Sequence, residues 1–209
     1  MFDKNIMKKL IIIFLFLVSL QLQASIVADL SDVAKKTQCV AILVDQEKTI
    51  SFFNEVVKSK LQIAVSNKGK MRMQTLTPFE SISIFDGAGV TRFEKRAGNW
   101  LKLESPSSFV ARKIFDEIRS LFSGDVSSSN YEISEHLHKV ILVPKNQMVR
   151  KAVAKIEIET NLNNGVREIS FIRITDADND ITVLKITKIS RAELNDVIFE
   201  TDNMKEWNF

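Results

Sequence analysis

From about residue 49 to residue 104, and again from residue 131 to residue 199, the chain is a succession of short stretches in which apolar and polar side chains alternate, many of them ended by Gly, Asn or Asp. Alternation with period two places successive side chains on opposite faces of a strand. Met71 and Met73 alternate with Lys70, Arg72 and Gln74, and Ile82 and Ile84 alternate with Ser81 and Ser83. The spacing predicts strands over residues 50–58, 61–65, 69–75, 81–85, 90–95, 100–104, 131–137, 139–143, 154–160, 168–174 and 181–189. Asp86-Gly87-Ala88-Gly89, Ala97-Gly98-Asn99, Asn163-Asn164-Gly165 and the acidic stretch from Asp176 to Asp180 read as the turns between them. About ten strands at such spacing default to an antiparallel meander. A sheet that wide must curl or pack against something. Ile198-Phe199 is expected to close it.

Helical spacing occurs in two places. Leu30, Val33 and Ala34 share a stripe within residues 27–38, with Asp29 and Asp32 early and Lys35 and Lys36 late, the order that suits a helix dipole. In residues 109–122, Val110, Ile114, Phe115, Ile118, Leu121 and Phe122 fall on one face, Ser108 is a candidate cap and Gly124 a stop. Residues 39–44 are a short apolar run that fits either the end of the first helix or the start of a strand. The expected architecture is mainly β with α: one strongly curved antiparallel sheet, covered by helices, with an apolar interior.

The first residues set the compartment. Lys4, Lys8 and Lys9 precede an apolar run from Leu10 to Leu20, and Leu22-Gln23-Ala24 ends on a small residue. This is the pattern of a secretory signal peptide, and the run is shorter than the ~20 residues that span a bilayer. Cleavage after Ala24 leaves residues 25–209 as a single domain, and a periplasmic location is expected. The whole chain carries a net charge of +3. Loss of three lysines and Asp3 makes the mature surface nearly neutral, which gives no electrostatic reason to expect nucleic acid. Cys39 is the only cysteine. It cannot form an internal disulfide and reads as a small buried apolar residue.

Catalytic and metal signatures are absent from the sequence. There is no Gly-x-Ser-x-Gly elbow, no His-Glu-x-x-His and no phosphate loop. Asp176-x-Asp178-x-Asp180 has the opening spacing of a calcium loop, but Ile181 stands where that loop needs Gly and Thr187 where it needs Glu. His136 and His138 are two apart with no third ligand placed by the sequence, so they read as exposed strand histidines. No cofactor and no enzyme activity are expected.

Three stretches resemble the LolA-like periplasmic lipoprotein carriers. Pro78, Glu80, Ser81, Asp86 and Gly87 reproduce the family's Pro-x-Glu-Ser-x-x-x-x-Asp-Gly spacing. Ile141-Leu142-Val143-Pro144-Lys145 is similar to an apolar strand ending in Pro-Lys, and residues 166–189 are similar through a strand, an acidic turn and Thr182-Val183-Leu184-Lys185-Ile186. The chain departs from the family at Ser66-Asn67-Lys68-Gly69-Lys70, which lacks an Arg-Pro pair, and at Met73, where tryptophan is usual.

The resemblance implies an unclosed, strongly curved antiparallel β-barrel with helices as a lid. It implies an acylated lipoprotein or other lipid as cargo, an inner-membrane donor complex and an outer-membrane acceptor. A monomer is expected. The same fold also serves as a lipid-sensing or regulator-binding module of the cell envelope, and a lipid-modifying esterase is a third alternative that needs a nucleophile. The lining expected of a lipid cavity is Met71, Met73, Ile82, Ile84, Phe93, Ile156, Ile158, Leu184 and Ile186 on one face of the strands. Phe115, Ile118 and Phe122 are expected on the helix side. Methionine suits such a lining because it is flexible and adapts to the shape of its contents.

Overall fold

One antiparallel sheet of eleven strands dominates the computed structural model, which describes residues 25–52, 55–87, 89–103, 116, 119–120, 130–191 and 196–200. The strands are β1 (Cys39–Ile50), β2 (Glu55–Ser66), β3 (Met71–Thr77), β4 (Ser81–Phe85), β5 (Val90–Arg96), β6 (Asn99–Leu103), β7 (Tyr131–His136), β8 (Lys139–Pro144), β9 (Lys155–Asn163), β10 (Val166–Thr175) and β11 (Ile181–Ser190). Their order across the sheet is β6-β5-β4-β3-β2-β1-β11-β10-β9-β8-β7. Two meanders, β1 to β6 and β7 to β11, are thus joined through the β1–β11 pair. β6 and β7 are the edges, so the sheet does not close on itself. The helices described are α1 (Ile26–Lys35), the four-residue α2 (Gln147–Arg150) and a 3₁₀ turn (Asp196–Phe199). No described helix is long and apolar enough to cross a membrane.

The sheet is curled, and its side-chain contacts show how far. Four strands separate β3 from β9, which in a flat sheet would put them about 24 Å apart at ~4.8 Å per strand. Yet Met71 of β3 and Phe85 of β4 belong to the same buried cluster as Val140, Leu142, Ile156 and Ile158 of β8 and β9. One face is therefore concave and carries the main core. α1 lies on this face, with Ile26 and Leu30 buried in that cluster.

Polar contacts at its N-terminus fix α1 there. Ser25 caps the helix by accepting from the Ala28 backbone N–H at 3.3 Å. Glu135 on β7 accepts from the Ser25 hydroxyl and from the Ile26 N–H, both at 2.7 Å. A carboxylate here also meets the positive end of the helix dipole. Arg167 of β10 pairs with Asp29 at 2.9 Å.

Most of the strand expectations hold, with three corrections. The sequence left residues 39–44 open; they begin a twelve-residue strand, and α1 ends at Lys35. Residues 50–58 are not one strand: the chain turns at Ser51-Phe52, and β2 is continuous from Glu55 to Ser66. Ile198-Phe199 does not extend the sheet. It lies in the 3₁₀ turn, and Phe199 packs on Cys39, Ala41 and Ala64 on the convex face. Small side chains at those three positions leave room for the ring. Cys39 is buried, as expected of a small apolar residue. The hairpin between β9 and β10 turns where expected, with both Asn164 and Gly165 at positive φ, the backbone that a two-residue turn between twisted strands requires. Of the predicted helix over 109–122, Asp116, Arg119 and Ser120 are helical, and the rest lies outside the described residues.

Candidate functional site

The concave face holds a hollow of about 310 Å³ between the two meanders. Leu61 and Ile63 of β2 and Met73 of β3 line one side, and Val153, Ile156 and Ile174 line the other. Leu184 of β11 forms its floor between them. Hydrogen-bonded register puts these residues on one face: Met73 lies opposite Ile63, Ile156 opposite Ile174, and Leu184 between Ile172 and Gln46. Ala152 and Thr75 complete the sides, and the rest of the lining is polar: Gln46 and Lys48 of β1, Thr182 of β11 and the turn residues Asp176 and Asp180. The hollow is thus apolar within and polar at its mouth, and its volume lies at the lower end of the range for small-molecule sites, roughly 300–1,000 Å³. A second groove, beneath α1 between Leu30, Val33, Val65 and Ile169, is about 60 Å³.

The expected lining divides between the two faces of the sheet. Met73, Ile156 and Leu184 line the hollow. Met71 and Ile158 are buried in the adjoining concave core, and Ile186 packs against it. Ile82, Ile84 and Phe93 do not share that face. Ile84 pairs with Arg72 and Ile82 with Gln74, so they point to the convex side. Phe93 lies opposite Ile82, and the three form their own cluster, against which Trp100 packs. Alternation within β4 was read correctly, but its parity relative to β3 is the reverse of the expectation. Phe115, Ile118 and Phe122 lie outside the described residues. Ile63, Leu61, Val153 and Ile174 also line the hollow and were not among the expected set. The pairing of Ile156 with Ile174 across a correctly predicted hairpin was the signal that would have found Ile174.

Arg72 and Gln74 are buried on the convex side of β3. The Arg72 guanidinium donates to the Ile198 carbonyl at 3.1 Å and to the Gln74 side-chain oxygen at 3.2 Å. Burial pushes its pKa down to about 10, still well above neutral pH. Arg72 therefore remains charged and ties the 3₁₀ turn to the sheet.

The residues of the Pro-x-Glu-Ser-x-x-x-x-Asp-Gly stretch build the β4–β5 hairpin. Glu80 pairs with Lys95 at 2.9 Å and its carbonyl accepts from the Lys95 N–H at 3.0 Å. Lys95 in turn lies over the Trp100 ring, 5.7 Å from its centre. Ser81 opens β4. The Asp86 carboxylate accepts from the Gly89 N–H at 3.0 Å, and Gly87 turns the chain at a φ of 92°, which disfavours any side chain. Pro78 follows a cis peptide bond in the β3–β4 connection. None of these five positions lines the hollow.

The acidic turn is likewise structural. Asp176 accepts from the N–H groups of Asp178 and Asp180, both at 2.9 Å. Asp180 accepts from the Ser51 N–H and hydroxyl, both at 2.7 Å, tying the β1–β2 turn to the β10–β11 turn. The Ser51 hydroxyl, followed by its N–H, holds the Asp180 carboxyl below the usual carboxylate range. A depressed folded pKa means that this tie contributes stability above the ordinary aspartate pKa of about 3.9 and is lost as pH falls through the folded value. Carbon-detected NMR titration is expected to place Asp180 below free aspartate, and Ser51→Ala to move it back up. His136 ends β7 and His138 lies beyond it in the turn, so they do not share a strand face. No group of three or more metal-ligating side chains occurs among the described residues.

No family model matches the chain, and no curated protein matches it. Solved structures do. A DUF1329 family protein from Desulfovibrio piger is 10% identical, with a TM-score of 0.52, over 83% of this chain and 95% of that one. A LolA superfamily protein from Nitrosomonas europaea is 12% identical, with a TM-score of 0.48, over 85% and 96%. The Mycobacterium tuberculosis lipoprotein LppX is 13% identical, with a TM-score of 0.44, over 81% and 97%. The fold, a single antiparallel sheet curled and open at its edges as expected, is shared with the Desulfovibrio piger protein along nearly that protein's whole length.

Proposed function

We propose that this protein is a periplasmic carrier. It shields the acyl chains of a lipoprotein or related lipid in the concave hollow and passes them from an inner-membrane donor toward an outer-membrane acceptor, without chemistry on the cargo. The observation that carries this reading is the hollow itself, an apolar space between Met73, Ile63, Ile156, Ile174 and Leu184 on the concave face, open at a polar rim. Interiors are otherwise packed to the density of organic crystals, so a space of this size lined by aliphatic side chains calls for an apolar occupant.

Burial of a methylene is worth about 0.8 kcal/mol, so ten methylenes drawn from water supply about 8 kcal/mol. That is ample to hold a chain in solution. Met73 gives a lining that adapts to different chains and forms no fixed polar contact that release would have to break.

Titration of the purified protein with a fluorescent long-chain fatty acid is expected to give saturable binding that a triacylated lipopeptide displaces. A linear, unsaturable signal would refute the reading.

A further inference from the structure

The β1–β2 hairpin ends in an apolar tip. Phe52 is 88% exposed, Val56 54% and Val57 40%. β2 pairs with β3 only from Lys60 onward, so the strand from Glu55 to Ser59 has β1 on one side and no β3 neighbour on the other. Such an apolar edge is a liability for a soluble protein unless something uses it.

Register relates the tip to the hollow. Val57 lies opposite Lys48, and Lys48 is on the hollow's rim. Paired residues share a face, so Val57 lies on the concave side with Leu61, with Ser59 between them. Val56, the next residue, points to the opposite face. Val56 and Val57 therefore face opposite sides of the ribbon and do not form one flat patch. A flat protein surface covers one side of such a wedge; a fluid apolar medium covers all of it.

We propose that Phe52, Val56 and Val57 enter the interfacial layer of a lipid bilayer and seat the mouth of the hollow against it. This rests on the carrier reading for its purpose, though not for its test. Lys48 is two residues from Ile50, where β1 ends and the turn carrying Phe52 begins, about 7 Å along the strand. Insertion of the tip by about 5–10 Å brings that rim to the headgroups, where the lysine stem can lie along apolar groups with its ammonium in water. Cargo then moves between bilayer and hollow past Val57 and Leu61 without crossing open water. Asp45, Glu47 and Glu55, together with the acidic turn that Ser51 holds through Asp180, outnumber Lys48, Lys58 and Lys60 around the tip, and Glu47 pairs with Lys58 at 3.0 Å. Binding is accordingly driven by apolar contact, not by attraction to anionic lipid.

The test compares exported protein with Phe52→Asp and with Val56→Asp/Val57→Asp in co-flotation with vesicles of phosphatidylcholine, alone and with one-third phosphatidylglycerol. The parent is expected to float with both to a similar extent. Each variant is expected to lose about thirtyfold in partitioning, the equivalent of losing one buried aromatic or two valines. Fatty-acid binding in solution by Phe52→Asp, and the circular dichroism spectra of both variants, should stay unchanged. Parent-like flotation of both folded variants, or no flotation by a parent that binds fatty acid, would overturn the proposal. Flotation that needs the tip in a protein that binds no fatty acid would uphold it and refute the carrier reading instead.

Discussion

Phe199→Ala is expected to destabilise the fold by about 3–5 kcal/mol, the usual cost of truncating a buried phenylalanine. Phe199 lies in a four-residue 3₁₀ turn near the end of the described chain, where fraying would ordinarily make substitutions cheap. Here the ring is buried, and it seals Cys39, Ala41 and Ala64 on the convex face. Arg72 reinforces the seal by donating to the carbonyl of the preceding residue, Ile198. Loss of the ring leaves a void over three small side chains that cannot fill it. The thiol of Cys39 gives a local readout that global melting does not. Opening of the turn exposes it, and each 1.4 kcal/mol lost multiplies the open population tenfold. Thiol labelling under native conditions should accelerate by about two orders of magnitude or more in the variant. Unchanged labelling and an unchanged denaturation midpoint would mean that the turn does not seal this face.

The second large effect concerns the hollow. Met73 and Ile174 line it from different meanders, and both are only partly buried, so each has room to grow. Met73→Trp/Ile174→Trp fills the space from both sides. If the two indoles displace about four methylenes of an acyl chain, the loss is about 3 kcal/mol, or roughly a hundredfold in affinity. Overpacking costs of 1–3 kcal/mol arise in filled cores, and a void absorbs much of that volume, so the melting temperature should move little. The paired control is Ile82→Val/Ile84→Val on the convex face. It trims the core and lowers stability by about 1–3 kcal/mol in total, while fatty-acid affinity stays as in the parent. Weaker binding in the control alone would place the lipid on the wrong face.

The sequence carried the β pattern, most strand positions and the turns, because alternation and turn chemistry are local properties. Asn164-Gly165 and Asp86-Gly87 turn the chain where their residue types require. What local pattern does not carry is the parity between neighbouring strands. Met71-Arg72-Met73 and Ile82-Ser83-Ile84 each alternate cleanly, yet the register pairs Met73 with Ser83. The usual guide, apolar side inward, fails here because both faces are buried. Arg72, Gln74, Ile82 and Ile84 are inaccessible on the convex side while Met71 and Phe85 are inaccessible on the concave side. The same double burial explains why residues 39–44 showed no strand period: Cys39 and Ala41 are covered by Phe199, and Ile42 and Val44 by the main core. Three of the expected lining residues, Met73, Ile156 and Leu184, do meet at the hollow, since apolar positions on central strands of a curled sheet converge there.

The carrier account stands or falls on where an acyl chain rests. A photoreactive fatty acid, bound at saturation and crosslinked, reads that position when the modified peptides are sequenced. The account predicts adducts on the strands that carry Met73, Ile156, Ile174 and Leu184, suppressed by excess unlabelled fatty acid and by Met73→Trp/Ile174→Trp. Adducts confined to the convex cluster of Ile82, Ile84 and Phe93, or labelling that excess fatty acid does not reduce, would contradict it.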